Sequence, residues 1–120
     1  MKILYAEDNN RLGMLTHSML KNEFSHVDWV TDGIAAYDFA SRMTYDLLIL
    51  DWMMPKLDGV EVCLRLRKNG YHGAIIMLTS KDGLEDKRKG LDSGADGYLI
   101  KPIQFGELIK KILILSKTAK

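Results

Sequence analysis

Cysteine occurs once in the 120 residues, at Cys63, so no disulfide can form within the chain, and the composition suits a reducing compartment. An excess of one charge is missing too: 17 Lys and Arg stand against 16 Asp and Glu, a formal charge of +1. A domain that grips nucleic acid by itself carries a basic surplus, so contact with DNA would require another domain. Long hydrophobic runs are absent. Stretches such as residues 74–78 fall far short of the roughly 20 apolar residues that cross a bilayer. The opening Met1-Lys2-Ile3-Leu4 passes directly into a strand pattern, without the layout of a signal peptide. These absences point to a cytoplasmic protein without membrane association. Internal repeats, low-complexity tracts and linkers are lacking as well, and the chain reads as one domain over residues 1–120, long enough to bury about two-thirds of its unfolded surface.

What is present is an alternation. Short apolar runs at Lys2–Ala6, His26–Val30, 47–50, 74–78 and 98–100 have strand length and lack strict alternation of polar and apolar residues, as strands covered on both faces should. Helical patterns separate them. The first, about 10–22, places Leu12, Leu15, Met19 and Leu20 on one face; the second, Gly33–Arg42, carries Ile34, Tyr37 and Phe39 near a similar stripe. The third, Gly59–Lys68, is expected to bury Val62, Cys63 and Leu66, and the last, about 105–115, has apolar residues at Phe105, Leu108, Ile109, Ile112 and Leu113. Five such units predict an α/β fold: a doubly wound, open parallel (βα)5 sheet with helices on both faces and a ligand site beyond the carboxyl ends of the strands. The fourth helix, about 84–93, is expected to be weakly held. Gly83 stands at its start and Gly90 inside it, each costing about 1 kcal/mol relative to alanine in a helix interior, and its bulky apolar residues are only Leu84 and Leu91.

Three carboxylates fall at that edge of the sheet. Glu7 and Asp8 follow the first strand and Asp51 follows the third. Two such charges about 5 Å apart repel by roughly 3 kcal/mol at an effective dielectric near 20, so three together call for a cation. An all-oxygen ligand set suits Mg²⁺ better than zinc or copper. Acids after buried strands also serve as loop formers and helix caps, but Asp51 is followed by Trp52-Met53-Met54-Pro55 rather than by polar turn residues. Thr79 and Lys101 end the fourth and fifth strands at the same edge. An acceptor carboxylate, a metal site, a hydroxyl donor and a fixed cation are the parts that phosphoryl transfer needs.

These stretches closely resemble the receiver domains of two-component response regulators. The resemblance is carried by Ile3-Leu4-Tyr5-Ala6-Glu7-Asp8-Asn9, by Asp46 through Pro55 with Asp58-Gly59 beyond, by Ile76-Met77-Leu78-Thr79-Ser80, and by Gly94 through Pro102. It covers essentially the whole chain and implies the flavodoxin-like receiver fold. It further implies that Asp51 is phosphorylated by a sensor histidine kinase or a small phosphodonor. Glu7, Asp8, Asp51 and the backbone carbonyl of Met53 would hold Mg²⁺, Thr79 would donate to a phosphoryl oxygen, Lys101 would neutralise another, and Tyr98 would be the aromatic member of the switch. Such a domain is a phosphoacceptor that catalyses its own phosphorylation and dephosphorylation, not a turnover enzyme. The Lys101-Pro102 bond would be cis.

The segment 92–98 also looks like the OmpR/PhoB-type subfamily, whose receivers precede a winged-helix DNA-binding domain. That resemblance implies a homodimer on phosphorylation through Leu84, Lys87, Leu91, Glu107 and Ile109, with DNA reached only through an effector domain absent from this chain. Gly97 departs from the pattern, because an acid usually stands there to pair with the base at Lys111. Leu84 and Leu91 either face a partner or turn into their own domain. The alternative is a stand-alone receiver acting by protein–protein interaction. A flavodoxin-like nucleotide binder would need a glycine-, serine- or threonine-rich phosphate loop where Glu7-Asp8-Asn9-Asn10 stands, and neither GxGxxG nor GxxxxGKS/T occurs. A haloacid-dehalogenase-like phosphatase would need a second acid at Met53. Of the two tryptophans, Trp52 is expected beside the acceptor and Trp29 remote from it.

Overall fold

A computed structural model describes residues 1–118; Ala119 and Lys120 lie outside the described residues. Five strands, β1 (Lys2–Ala6), β2 (His26–Val30), β3 (Leu47–Asp51), β4 (Ala74–Thr79) and β5 (Gly97–Ile100), alternate with five helices, α1 (Asn10–Glu23), α2 (Gly33–Arg42), α3 (Gly59–Lys68), α4 (Leu84–Asp92) and α5 (Phe105–Thr118). Every pairing is parallel and the strand order is β2-β1-β3-β4-β5, the doubly wound sheet that the alternation predicts. The order reverses between β1 and β3, which is where a sheet of this kind opens a crevice for ligands.

The sheet divides the core in two. Leu4, Ala6, Leu48, Leu50, Ile75 and Met77 pack with Ala36 of α2 and with Val62, Cys63 and Leu66 of α3. The alternate residues Ile3, Tyr5, Leu47, Ile49, Ile76 and Leu78 pack with Leu20 of α1 and with Leu108 and Ile112 of α5. Because β3 and β4 are buried at every position, their backbones are rigid supports for whatever stands at their ends.

Asn9, Asp32 and Asp58 cap α1, α2 and α3, each side chain accepting a backbone N–H three residues on at 2.9, 2.7 and 2.8 Å. By contrast α4 has Gly83 as its N-cap residue, which offers no side-chain hydrogen bond, and within the helix only Gly90 is buried. The far end of α4 is fastened. Arg67 of α3 donates from Nε to the carbonyl of Gly94 at 3.0 Å and from Nη1 to the carbonyls of Tyr71 and Gly73 at 2.9 and 2.8 Å. Its Nη2 meets the Asp96 carboxylate at 2.9 Å, and that carboxylate also accepts the Ile75 N–H.

Three strand ends differ from the expected bounds. The ladder continues past the last apolar residue, so β3 takes in Asp51, paired with Leu78, and β4 takes in Thr79, paired with Ile100, while β5 begins at Gly97. Two helix faces also differ. In α2 the buried residues are Gly33, Ala36 and Ala40, whereas Ile34 and Phe39 are exposed. The helix lies too close to its neighbours for bulk there: a Cβ on Gly33 would sit 1.7 Å from the Leu57 carbonyl oxygen. In α1 Leu15 is 58% exposed, because Leu12, Leu15 and Met19 line an open cleft toward Phe105 and Leu108 of α5 rather than a filled core. Leu113 of α5 is likewise exposed. Among the described residues no helix is long and apolar enough to cross a membrane.

Candidate functional site

The register of the sheet assembles the acids. Ala6 of β1 pairs with Leu50 of β3, so Glu7 and Asp51 leave adjacent strands side by side, and Glu7, Asp8 and Asp51 each offer a carboxylate oxygen within 4.8 Å of the others. Glu7 and Asp51 are buried, at 1% and 5% exposure, and Asp8 is exposed. Lys101, one residue beyond β5, reaches across with Nζ 2.9 Å from Glu7 Oε1 and 3.1 Å from Asp51 Oδ2. The second oxygen of Glu7 accepts the Asn9 N–H at 3.1 Å. Lys101 is followed by a cis bond to Pro102.

These neighbours act on the titration of the pair. Burial and the Glu7 charge push the Asp51 carboxyl up to about 7, against the pull of Lys101. Lys101 is held above its ordinary value: burial lowers it, but the hydrogen bond to Glu7 and the charges of Asp51 and Glu7 outweigh that. One ammonium therefore does not neutralise the acids, and the remaining negative charge, presented by oxygens alone, suits a hard divalent cation. The residues present fit Mg²⁺ on those grounds.

The turn after β3 is tightly built. Trp52 donates its N–H to Leu78 at 2.9 Å and accepts from Gly59 at 2.7 Å, and a Cβ on Gly59 would lie 2.4 Å from the Asp51 carbonyl oxygen. Only glycine lets α3 start so near the end of β3. Between these anchors Met53 turns its side chain outward, 60% exposed. Thr79 is buried, its Oγ1 accepting the Lys81 N–H at 3.0 Å. Tyr98 donates its hydroxyl to the Lys81 carbonyl at 2.7 Å and stands edge-on to Trp52, ring centroids 6.3 Å apart. Lys81 itself places Nζ 5.2 Å from the Trp52 ring, a cation–π contact with no counterpart in the residue pattern. Thr79 and Tyr98 thus meet at one loop, the segment joining β4 to α4.

Trp52 is next to Asp51, as expected, and is buried. Trp29 is not remote: its Nε1–H donates to the Glu7 carbonyl oxygen at 3.0 Å. The edge strand β5 is flanked by α4, where a Cβ on Gly90 would meet Tyr98, and by α5, where one on Gly97 would meet Leu115 and Lys111. On these two helices lie Leu84, Lys87 and Leu91, and Glu107 and Ile109. Leu84 is 87% exposed and does not turn into the domain, Leu91 is 38% exposed, and Ile109 is half-buried. Among the described residues Lys87 and Glu107 form no ion pair within the chain.

Residues 3–113 match the response regulator receiver domain family. The chain is 41% identical over 119 residues to the response regulator RppA of Synechocystis, covering 98% of this chain and 51% of that protein. It is 40% identical over 119 residues to the transcriptional regulatory protein PcoR of Escherichia coli, covering 99% and 53%. The chain therefore spans about half the length of these curated relatives. Its structure superposes on a Francisella response regulator receiver domain with a TM-score of 0.89 at 36% identity, covering 99% of this chain and 98% of that one. It is also similar to the receiver domain of a sensor histidine kinase from Pseudomonas aeruginosa PAO1, described with a magnesium ion coordinated in the active-site cleft. There the TM-score is 0.87 at 32% identity, with 97% of each chain covered.

Proposed function

Because the chain belongs to the response regulator receiver domain family, we propose that it is a phosphorylation-operated switch in which Asp51 takes a phosphoryl group from a sensor histidine kinase. The observation that carries this reading is the Asp51 carboxylate: buried, 3.1 Å from Lys101 Nζ and within 4.8 Å of two further acids. A carboxylate oxygen of Asp51 forms the new bond to phosphorus, the phosphorus–nitrogen bond of the donor breaks, and its electron pair returns to the imidazole. Glu7, Asp8, Asp51 and the carbonyl of Met53 would hold Mg²⁺, which when bound would supply neutralising charge for the transfer. Lys101 leaves Glu7 to meet a phosphoryl oxygen. Thr79 turns its hydroxyl to donate to another, releasing the Lys81 N–H and so loosening the loop that Tyr98 also holds. Dephosphorylation is a separate step that uses the same residues: water attacks phosphorus, the bond from phosphorus to the Asp51 oxygen breaks, and the carboxylate leaves with inorganic phosphate as the other product.

Acetyl phosphate supplies the test. With Mg²⁺ present, intact-mass measurement is expected to find one phosphate adduct per wild-type chain, none on Asp51→Asn, and greatly reduced labelling on Asp8→Asn. A full-stoichiometry adduct on the asparagine variant sinks the assignment.

The relatives that are transcriptional regulators, of which this chain spans about half, support the OmpR/PhoB-type reading: an effector domain controls transcription and alone contacts DNA. The exposure of Leu84 and Leu91 beside the edge strand supports a homodimer on phosphorylation through Leu84, Lys87, Leu91, Glu107 and Ile109. Gly97 deprives Lys111 of an acidic partner, which weakens that dimer. A beryllofluoride mimic of the phosphoryl group is expected to raise the sedimentation coefficient of wild type, and Leu84→Asp to abolish the change. An activated wild type that stays monomeric at high concentration removes the dimer but leaves the acceptor role standing.

A further inference from the structure

Trp29 touches the acidic turn from the neighbouring strand. It stands opposite Tyr5 in the β1–β2 register, and the ladder ends one pair later, at Ala6 and Val30. Beyond that point the Glu7 N–H still reaches the Val30 carbonyl at 3.0 Å, and the Glu7 carbonyl accepts the Trp29 indole N–H at 3.0 Å. The peptide before Glu7 and the peptide after it are thus both tied to β2. The second of these joins Glu7 to Asp8, so its orientation sets the direction in which both carboxylates leave the chain.

The indole is itself held. Gly13 lies so near that a Cβ there would sit 2.2 Å from Trp29 Cζ2, so the backbone of α1 rests on the ring. One turn further along α1, the His17 ring stands 5.9 Å from Trp29 between centroids, and its Nε2–H donates to the Val27 carbonyl at 2.8 Å. A ring wedged between a helix and a strand presents its one donor in a single direction.

We propose that Trp29 is a positioning residue for the metal site: the indole N–H fixes the Glu7–Asp8 peptide and so holds the two carboxylates for the ion. The inference rests on the reading of Glu7 and Asp8 as Mg²⁺ ligands. Partners that orient metal ligands are worth about 10- to 100-fold in affinity when removed, and a neutral hydrogen bond belongs at the lower end of that range.

The test separates the donor from the bulk. Position 29 is filled with 3-benzothienylalanine, which keeps the shape of the bicyclic ring and replaces N–H by sulfur; Trp29→Phe is the simpler companion. Calorimetric titration with MgCl₂ is expected to find binding about tenfold weaker in the benzothienyl protein, with its metal-free melting temperature close to wild type. In the unaltered protein, the indole N–H resonance of Trp29 is expected to shift saturably with Mg²⁺ at the midpoint found by calorimetry. Wild-type affinity in the benzothienyl protein overturns the inference, as does an indole resonance that Mg²⁺ leaves in place. If wild type itself binds no Mg²⁺, the metal reading has failed and this inference falls with it.

Discussion

Asp51→Asn is expected to melt higher than wild type in the absence of metal at about pH 8, by roughly 8 °C, while losing all phosphoryl labelling. The gain comes from the charge that the substitution removes. Burial and Glu7 raise the Asp51 pKa from 3.8 to about 7, so between those values the native protein binds more protons than the unfolded chain. Stability then falls as pH rises through that window, and the penalty is complete above it. Asparagine escapes it but forfeits the ion pair with Lys101, leaving a net gain of about 2 kcal/mol. The difference between variant and wild type should open from about pH 4 to about pH 7 and close again when Mg²⁺ stabilises wild type alone. Melting curves near pH 4.5 and near pH 8 decide the matter. A gap of equal size at both would mean that the carboxylate's charge is not its source.

Lys101→Ala should act in the opposite sense and at least as strongly. Glu7 and Asp51 are nearly enclosed, and Nζ of Lys101 lies 2.9 Å from one and 3.1 Å from the other. Removing the cation leaves both carboxylates in low dielectric without a partner. Loss of one member of such a buried pair costs about 3 kcal/mol, or roughly 12 °C in melting temperature. The deficit should shrink toward about pH 4.5, as the stranded Asp51 takes up a proton. Lys101→Met, which keeps the length of the side chain, distinguishes charge from packing. A methionine variant as stable as wild type at neutral pH would show that the ammonium contributes nothing beyond bulk.

Much of the architecture is legible in the residues because fully covered strands leave an unmistakable pattern: 47–50 and 74–78 are apolar throughout, and helical patterns separate them. Strand ends were less legible. Asp51 and Thr79 are polar but still make ladder pairs, so reading apolarity alone stops one residue short. The buried face of α2 differs from the bulky stripe for a related reason. Where two backbones approach, glycine and alanine do the packing, and a search for bulky stripes selects Ile34 and Phe39 on the wrong side. The convergence of Glu7, Asp8 and Asp51 followed from topology, since adjacent parallel strands bring their ends together. The contacts of Trp29 and Lys81 did not, because each depends on where a side chain turns after its strand or loop. The one sign of the first was Gly13, a glycine in the interior of α1 that only a close neighbour explains.

The hold of Arg67 on Gly94 and Asp96 makes α4 a lever with its fulcrum at the C-terminal end. The opposite end has no side-chain cap, and the loop before it is held by Thr79 and Tyr98. Any displacement of the helix is then a swing about residues 93–96, growing with distance from them. Seven residues at 1.5 Å each separate Leu84 from Leu91, so a tilt of about 10° carries Leu84 some 2 Å further than Leu91. The most exposed leucine of the helix is therefore the one with the longest travel, and a partner that reads this surface reads the angle of the lever chiefly at its tip.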